Sequence, residues 1–220
     1  MHKFETTAPI AAVLEIAAGR IQVLAADRSD TVVEVRPADA SKSRDVKAAE
    51  ETRVAFTDGV LRVEGTTTNR IFGSSGYVEV TVQLPAGSRI EAKAAAADLR
   101  GVGRLGDVTF EAAQGEIKLD EAAGVRSTTA AGDVVIGRLT GPAAITTSKG
   151  DIRIAEASRG EVVLSTQAGS ISIGAATGVS AALDARTGYG QISNSLKNDG
   201  SIALDIHATT SYGDIAATSN

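Results

Sequence analysis

The chain has 220 residues, 43% hydrophobic but only 3% aromatic, with no tryptophan, no cysteine and a formal net charge of −5. The missing cysteines exclude a disulfide framework, thiol catalysis and a thiolate metal site, and the acidic balance argues against nucleic acid as a partner. A core must come from Ala, Val, Ile and Leu, and 23 glycines against 4 prolines point to thin layers joined by tight turns.

In chain order, MHKFETTAPIAAVLEIAAG is interrupted by Glu5, Pro9 and Glu15. It therefore reads neither as a secretory leader nor as a membrane span, and the expected location is the cytoplasm. GRIQVLAADRSDTVVEVRP predicts two strands around a turn at Asp27–Asp30. Residues 38–52 are polar and alanine-rich, a loop or a short helix. Asp58-Gly59 between the alternating runs of TRVAFTDGVLRVEG is a hairpin signal. Val78, Val80 and Val82 alternate cleanly; the strand at Tyr77–Val82 and the hairpin are expected to cap the first coil of the repeat that follows, covering an edge that would otherwise template aggregation. No linker composition interrupts the chain, so one domain is expected over 1–220, with a β-rich N-terminal part at 1–99 and a repeat at 100–220.

The repeat is Thr-x-x-Gly-polar-aliphatic. Its glycines are Gly115, Gly132, Gly150, Gly169, Gly190 and Gly213, spaced by 17, 18, 19, 21 and 23 residues. A second series, Gly124, Gly141, Gly160, Gly178 and Gly200, interleaves with it. Each period thus has two glycine corners joined by segments of strand length. Two residues past the first corner lie Val134, Ile152, Ile171, Ile192 and Ile215; four past it lie Ile136, Ile154, Ile173, Asn194 and Ala217. Seven before it lie Val125, Ala143, Val162, Leu183 and Ile206. This period of two marks strands with one buried face, blurred at Asn194 and Val163. A unit of two short strands cannot bury its apolar face alone, whereas a stack of such units can. The expected fold is all-β: a flattened parallel β-solenoid of two sheets, about 18–22 residues per coil, behind a hairpin-rich N-terminal part. The last coil ends in polar AATSN rather than an evident cap.

VEVTVQLPAGSRIEAKAAAADLRGVGRLGDV followed by recurring TxxGDIxI resembles the "putative adhesin" family of bacterial β-strand-repeat proteins, domain of unknown function 4097 (DUF4097). The resemblance runs from Gly19 to Ile215. It implies the β-solenoid fold and no catalytic residues; the family's adhesin label implies a surface role.

Five consecutive coils carry Thr three residues before the corner glycine: Thr129, Thr147, Thr166, Thr187 and Thr210. Their parity is inward, which makes them a structural ladder bonding backbone at the corner rather than a hydroxyl surface for a ligand. Asp133, Asp151 and Asp214 come directly after the glycines, but Ser170 and Gln191 break the series. The calcium-binding nonapeptide is absent, so no metal is expected. Gly101–Gly106 (GVGRLG) matches G-x-G-x-x-G, yet a strand pattern stands where a helix would have to start, so no dinucleotide cofactor is expected. His2 is terminal, and His207 stands on an outward position with Ser211 nearby but no strained elbow, which is no catalytic set. Tyr189 and Tyr212 each precede a corner glycine, with Lys149 at the equivalent position two coils before Tyr189. These three are the candidate binding residues, because tyrosine offers flat amphipathic area at small entropic cost.

The function expected is a non-enzymatic scaffold or binding module, engaging a protein partner or a second copy of itself, with a glycan as the other candidate ligand. One alternative is a glycan-acting enzyme, which would need a groove holding two carboxylates and an arginine. The other is a cell-surface adhesin.

Overall fold

The structure is a computed structural model, and it describes residues 1–65 and 76–220. The chain opens with β1 (His2–Glu5), β2 (Ala11–Ala26) and β3 (Asp30–Pro37), and continues with α1 (Ser43–Glu51), β4 (Arg53–Thr57), β5 (Val60–Glu64) and β6 (Val78–Pro85). The short helix falls in the polar, alanine-rich segment. β4 and β5 form the hairpin signalled by Asp58-Gly59, both turn residues having positive φ, 51° and 75°. β2 and β3 are the two strands expected around the turn at Asp27–Asp30. β2 and β3 do not pair, because β6 lies between them, parallel to β2 and antiparallel to β3.

The repeat continues as β7 (Arg89–Gln114), β8 (Ile117–Ala131), β9 (Val134–Leu139), β10 (Ala143–Lys149), β11 (Ile152–Ala157), β12 (Gly160–Ala168) and β13 (Ile171–Ala175). It ends with β14 (Ala181–Tyr189), β15 (Ile192–Ser195), β16 (Leu204–Tyr212) and β17 (Ile215–Ser219). β2, β7 and β8 bend at corners and serve both sheets. One sheet runs through the first half of β2, the two ends of β7, the second half of β8, then β10 and β12. The other runs through the second half of β2, the middle of β7, the first half of β8, then β9, β11 and β13. Parallel stacking reaches further towards the N-terminus than the glycine spacing indicated, since β5 and β6 lie parallel on the two halves of β2. At this proximal end β4 covers β5, and β3 and β1 extend the sheet beyond β6, all antiparallel.

At the distal end, chain order and stacking order part. β16 pairs with β12 on one side and β14 on the other; β17 lies likewise between β13 and β15. The last coil in the chain, 204–219, is therefore inserted between 160–175 and 181–195. The AATSN tail does not end the stack, as the repeat led us to expect; β14 and β15 do.

The aliphatic stripe closes inside the stack. Val134, Ile152, Ile171 and Ile215 are at most 1% exposed, whereas Ile192 is 46% exposed because its coil has no neighbour on the outer side. Each fully buried side chain of this size contributes roughly 1.5–3 kcal/mol, so a regular stripe suffices without large aromatics. The corners require glycine for a steric reason. At Gly150 φ is +147°, and a Cβ there would sit 2.2 Å from the Gly132 carbonyl oxygen. Gly132, Gly169, Gly190 and Gly213 meet the same obstacle one coil along.

Candidate functional site

Each corner glycine is preceded by a residue whose side chain leaves the stack. In spatial order these are Ala131, Lys149, Ala168, Tyr212 and Tyr189. The last two fall on neighbouring strands, and the strand spacing of about 4.8 Å stacks their rings face to face. The centroids lie 5.1 Å apart at an interplanar angle of 3°. The tyrosines are 72% and 61% exposed, so the pair forms an aromatic ledge at the distal end rather than a cover over it. Lys149 does not join them. The inserted coil puts it three coils from Tyr189 instead of two, and Ala168 separates it from Tyr212 by about 10 Å of stacking.

The threonine ladder lies inside the corner. The hydroxyls of Thr147, Thr166, Thr210 and Thr187 donate to the carbonyls of Gly132, Gly150, Gly169 and Gly213, at 3.4, 3.0, 2.9 and 2.9 Å. Thr129 Oγ1 is buried and has no partner among the described residues. The aspartates form a second ladder with a backbone task. Asp133 accepts the amide of Asp151 at 2.8 Å, Asp151 that of Ser170 at 2.7 Å, and Asp214 that of Gln191 at 2.8 Å. The Ser170 hydroxyl accepts from Asp214, so the apparent break in the series is a substitution of acceptor, not of task. Asp98, which the repeat pattern did not reveal, accepts from Glu116 at 3.0 Å and makes the same kind of bond two coils before Asp133.

Gly101–Gly106 lies within β7, with Gly103 at φ +82° against the Ala25 carbonyl, and the chain beyond it stays in the strand rather than entering a helix. His207 is half-buried on the outer sheet face, 3.5 Å from Asp205, 3.9 Å from Asp184 and 4.0 Å from Glu161. No cluster of His, Asp and Glu suited to a metal ion occurs among the described residues.

Among the described residues, two of the open grooves gather several side chains of both charges. The larger, about 630 Å³, is lined by Arg89, Glu91, Asp107, Arg126 and Glu161 with Val163 beside them. Asp107 and Glu161 stand in one row with Gly124 and Pro142 between them, three strand spacings or about 14 Å apart. That exceeds the reach of a glycosidase pair, and Glu91 faces the Lys93 ammonium at 3.9 Å. In the smaller groove Arg138 lies between Glu121 and Glu156, at 3.8 and 3.3 Å, and Arg100 holds Asp120 at 2.7 Å. Three carboxyls held below their ordinary range lie outside both grooves. Asp39 is lowered to about 2, chiefly by the Ser41 hydroxyl; Asp30 is lowered chiefly by Arg28, and Asp199 chiefly by the Ser201 amide. Their direction is opposite to the one a general acid needs.

The Toastrack DUF4097 family model matches residues 14–220. Among solved structures, the chain is similar to a "putative adhesin" from Bacteroides fragilis at 16% identity and a TM-score of 0.48, covering 98% of this chain and 95% of that one. A "putative lipid binding protein" from Parabacteroides distasonis matches at 12% identity and 0.44, covering 97% and 95%. A "putative cell adhesion protein" from Clostridium sporogenes matches at 11% and 0.40, covering 100% and 98%. No curated protein matches. No described helix is long and apolar enough to cross a membrane.

Proposed function

The chain belongs to the Toastrack DUF4097 family, a family of unknown function, and from that premise we propose that it is a rigid, non-enzymatic binding module whose distal aromatic ledge engages a protein partner. The stacked pair Tyr189–Tyr212 carries this reading: two rings more than half exposed, held parallel by the strand register rather than by a core. Two sets of carboxylates are engaged in the scaffold. The corner aspartates accept backbone amides, and the carboxylates of the smaller groove are paired with arginines. A ledge of two preordered tyrosines suits recognition, because aromatic anchors lose little rotamer entropy and often dominate an interface.

The test is co-purification from the native host. Tagged wild-type chain is expected to retain a protein that the Tyr189→Ala/Tyr212→Ala variant loses by roughly tenfold or more, each anchor supplying over 1 kcal/mol. An unchanged far-UV spectrum shows that the variant still folds. Equal recovery by both chains overturns the reading, as does retention of a polysaccharide in place of a protein.

A further inference from the structure

The distal end of the stack presents a free strand edge. β14 pairs with β16 on one side, and no described strand lies on the other. The direction of its amides is set by its first residues. The Ser180 carbonyl accepts from Ala203 and Leu204, inside the stack, whereas the Ala181 amide donates to the Lys197 carbonyl, outside it. Peptide groups alternate along a strand. The N–H and C=O of Leu183, Ala185 and Thr187 therefore face out of the end of the solenoid. β14 contains neither proline nor lysine, the residues that most often block an edge.

We propose that the chain forms a two-fold dimer in which β14 pairs antiparallel with β14 of a second copy, centred on Ala185. This register uses all the free groups. Ala185 exchanges both its hydrogen bonds with Ala185 of the second copy, and Leu183 exchanges both with Thr187, in each direction. The residues between them become the closely approaching, non-hydrogen-bonded pairs. There Asp184 meets Arg186 of the second copy, and Arg186 meets its Asp184. In the single chain these side chains are exposed and only 3.4 Å apart. The charges select the register. Centring on Asp184 or Arg186 would still pair outward-facing groups but would set like charges directly opposite each other. Centring on Leu183 or Thr187 would keep the hydrogen bonds but leave both charges without a partner of opposite sign. Self-complementarity under a two-fold axis is the signature of an isologous interface. It singles out a second copy over an unrelated strand. The same contact brings apolar cover towards half-buried Leu183 and exposed Ile192, which the stack leaves open. Tyr189 and Tyr212 lie beyond the paired stretch, at the corner, so this dimer and the tyrosine reading stand or fall separately.

Sedimentation velocity of the purified full chain, from micromolar to millimolar concentration, tests it. The expected result is a species of twice 22.4 kDa at the upper end. Asp184→Arg and Arg186→Asp, each opposing like charges, are expected to weaken it by roughly tenfold or more. The exchange variant Asp184→Arg/Arg186→Asp is expected to recover it. A second readout needs no substitution: amide exchange at Leu183, Ala185 and Thr187 slows as concentration rises. A monomer at every concentration overturns the proposal, and so does mass that climbs past the dimer, as head-to-tail stacking would give. Single variants without effect, or an exchange variant that stays as weak as they are, overturn it equally.

Discussion

At a corner of this solenoid one glycine carbonyl does two jobs: it lies where a Cβ of the next coil would have to be, and it accepts the next coil's threonine hydroxyl. At Gly150 a Cβ on Gly169 would fall 2.0 Å from the carbonyl oxygen, and Thr166 donates to that oxygen at 3.0 Å. The inward parity of the threonines is legible in the sequence, and so is their engagement with backbone, since a short hydroxyl beside a tight turn has few other acceptors. What the pattern does not show is the exception. By analogy Thr129 would donate to Gly115, yet its Oγ1 is buried without a partner among the described residues. The two positions therefore separate hydrogen bonding from packing. Thr166→Val, nearly isosteric, is expected to lower stability by about 1 kcal/mol, the net worth of a buried hydrogen bond. Thr129→Val is expected to be neutral or to raise stability by about 1 kcal/mol, because it removes an unsatisfied buried hydroxyl. Urea unfolding of both variants measures this; an equal loss at both sites would show that the hydroxyls act through shape alone.

The coils do not stack in chain order, and composition supplies a reason. Coil 204–219 points Leu204, Ile206, Ala208, Ile215 and Ala217 inward, all at most 1% exposed. Coil 181–195 points Leu183, Ala185, Ile192 and Asn194 inward, and the Asn194 carboxamide accepts the Leu196 amide at the exposed end. Exchanging the two would bury that carboxamide between two aliphatic layers, at a penalty of about 1–3 kcal/mol if it lost its partner. It would also leave the more apolar coil at the surface, forgoing part of roughly 1.5–3 kcal/mol per large side chain. The connecting segments accommodate the step through hydrogen bonds from the Asp199 amide to Ser180 and from the Lys197 amide to Ser219. A sign of this was legible: Asn194 breaks the inward stripe where the end coil lies, and the glycine spacing lengthens there from 19 to 21 and 23. The order itself was not legible, because every coil shares one period and pairs equally well in register with any other. The absence of native cysteine makes the order testable. Ser172 and Ser193 both neighbour Ala216 but not each other. Cysteine pairs at 172/216 and at 193/216 are expected to oxidise readily. The pair at 172/193, two spacings or about 10 Å apart, exceeds disulfide reach and is expected to stay reduced. A disulfide formed quantitatively at 172/193 alone would restore chain-order stacking.

For the whole molecule, features set by near neighbours were legible and those set by distant ones were not. Inward Ile152 and Ile171, the Asp58-Gly59 hairpin and the glycine corners are each dictated by a few adjacent residues. The placing of β6 between β2 and β3 depends on where a strand some fifty residues away comes to rest, and no local pattern records it. The candidate site divides in the same way. Tyr189 and Tyr212 are neighbours whether or not the last coils are exchanged, so their equal offset from glycine sufficed. The distance from Lys149 and the exposure of Asp184 and Arg186 on a free edge depend on knowing which coil is last. A stacked repeat draws its stability from neighbour-to-neighbour contacts, so one side chain should matter in proportion to the number of coils that cover it. Ile171 has a coil on either face and is 1% exposed, while Ile192 has one and is 46% exposed. Ile171→Ala is expected to remove about 2–5 kcal/mol, the range for a deeply buried isoleucine that leaves a cavity. Ile192→Ala in dilute solution is expected to remove no more than about 1 kcal/mol, since only part of its surface leaves water. Denaturant melts at low protein concentration compare the two. If Ile192→Ala proved as damaging as Ile171→Ala there, coil 181–195 would have a covering layer on both faces, and the solenoid would have to end elsewhere.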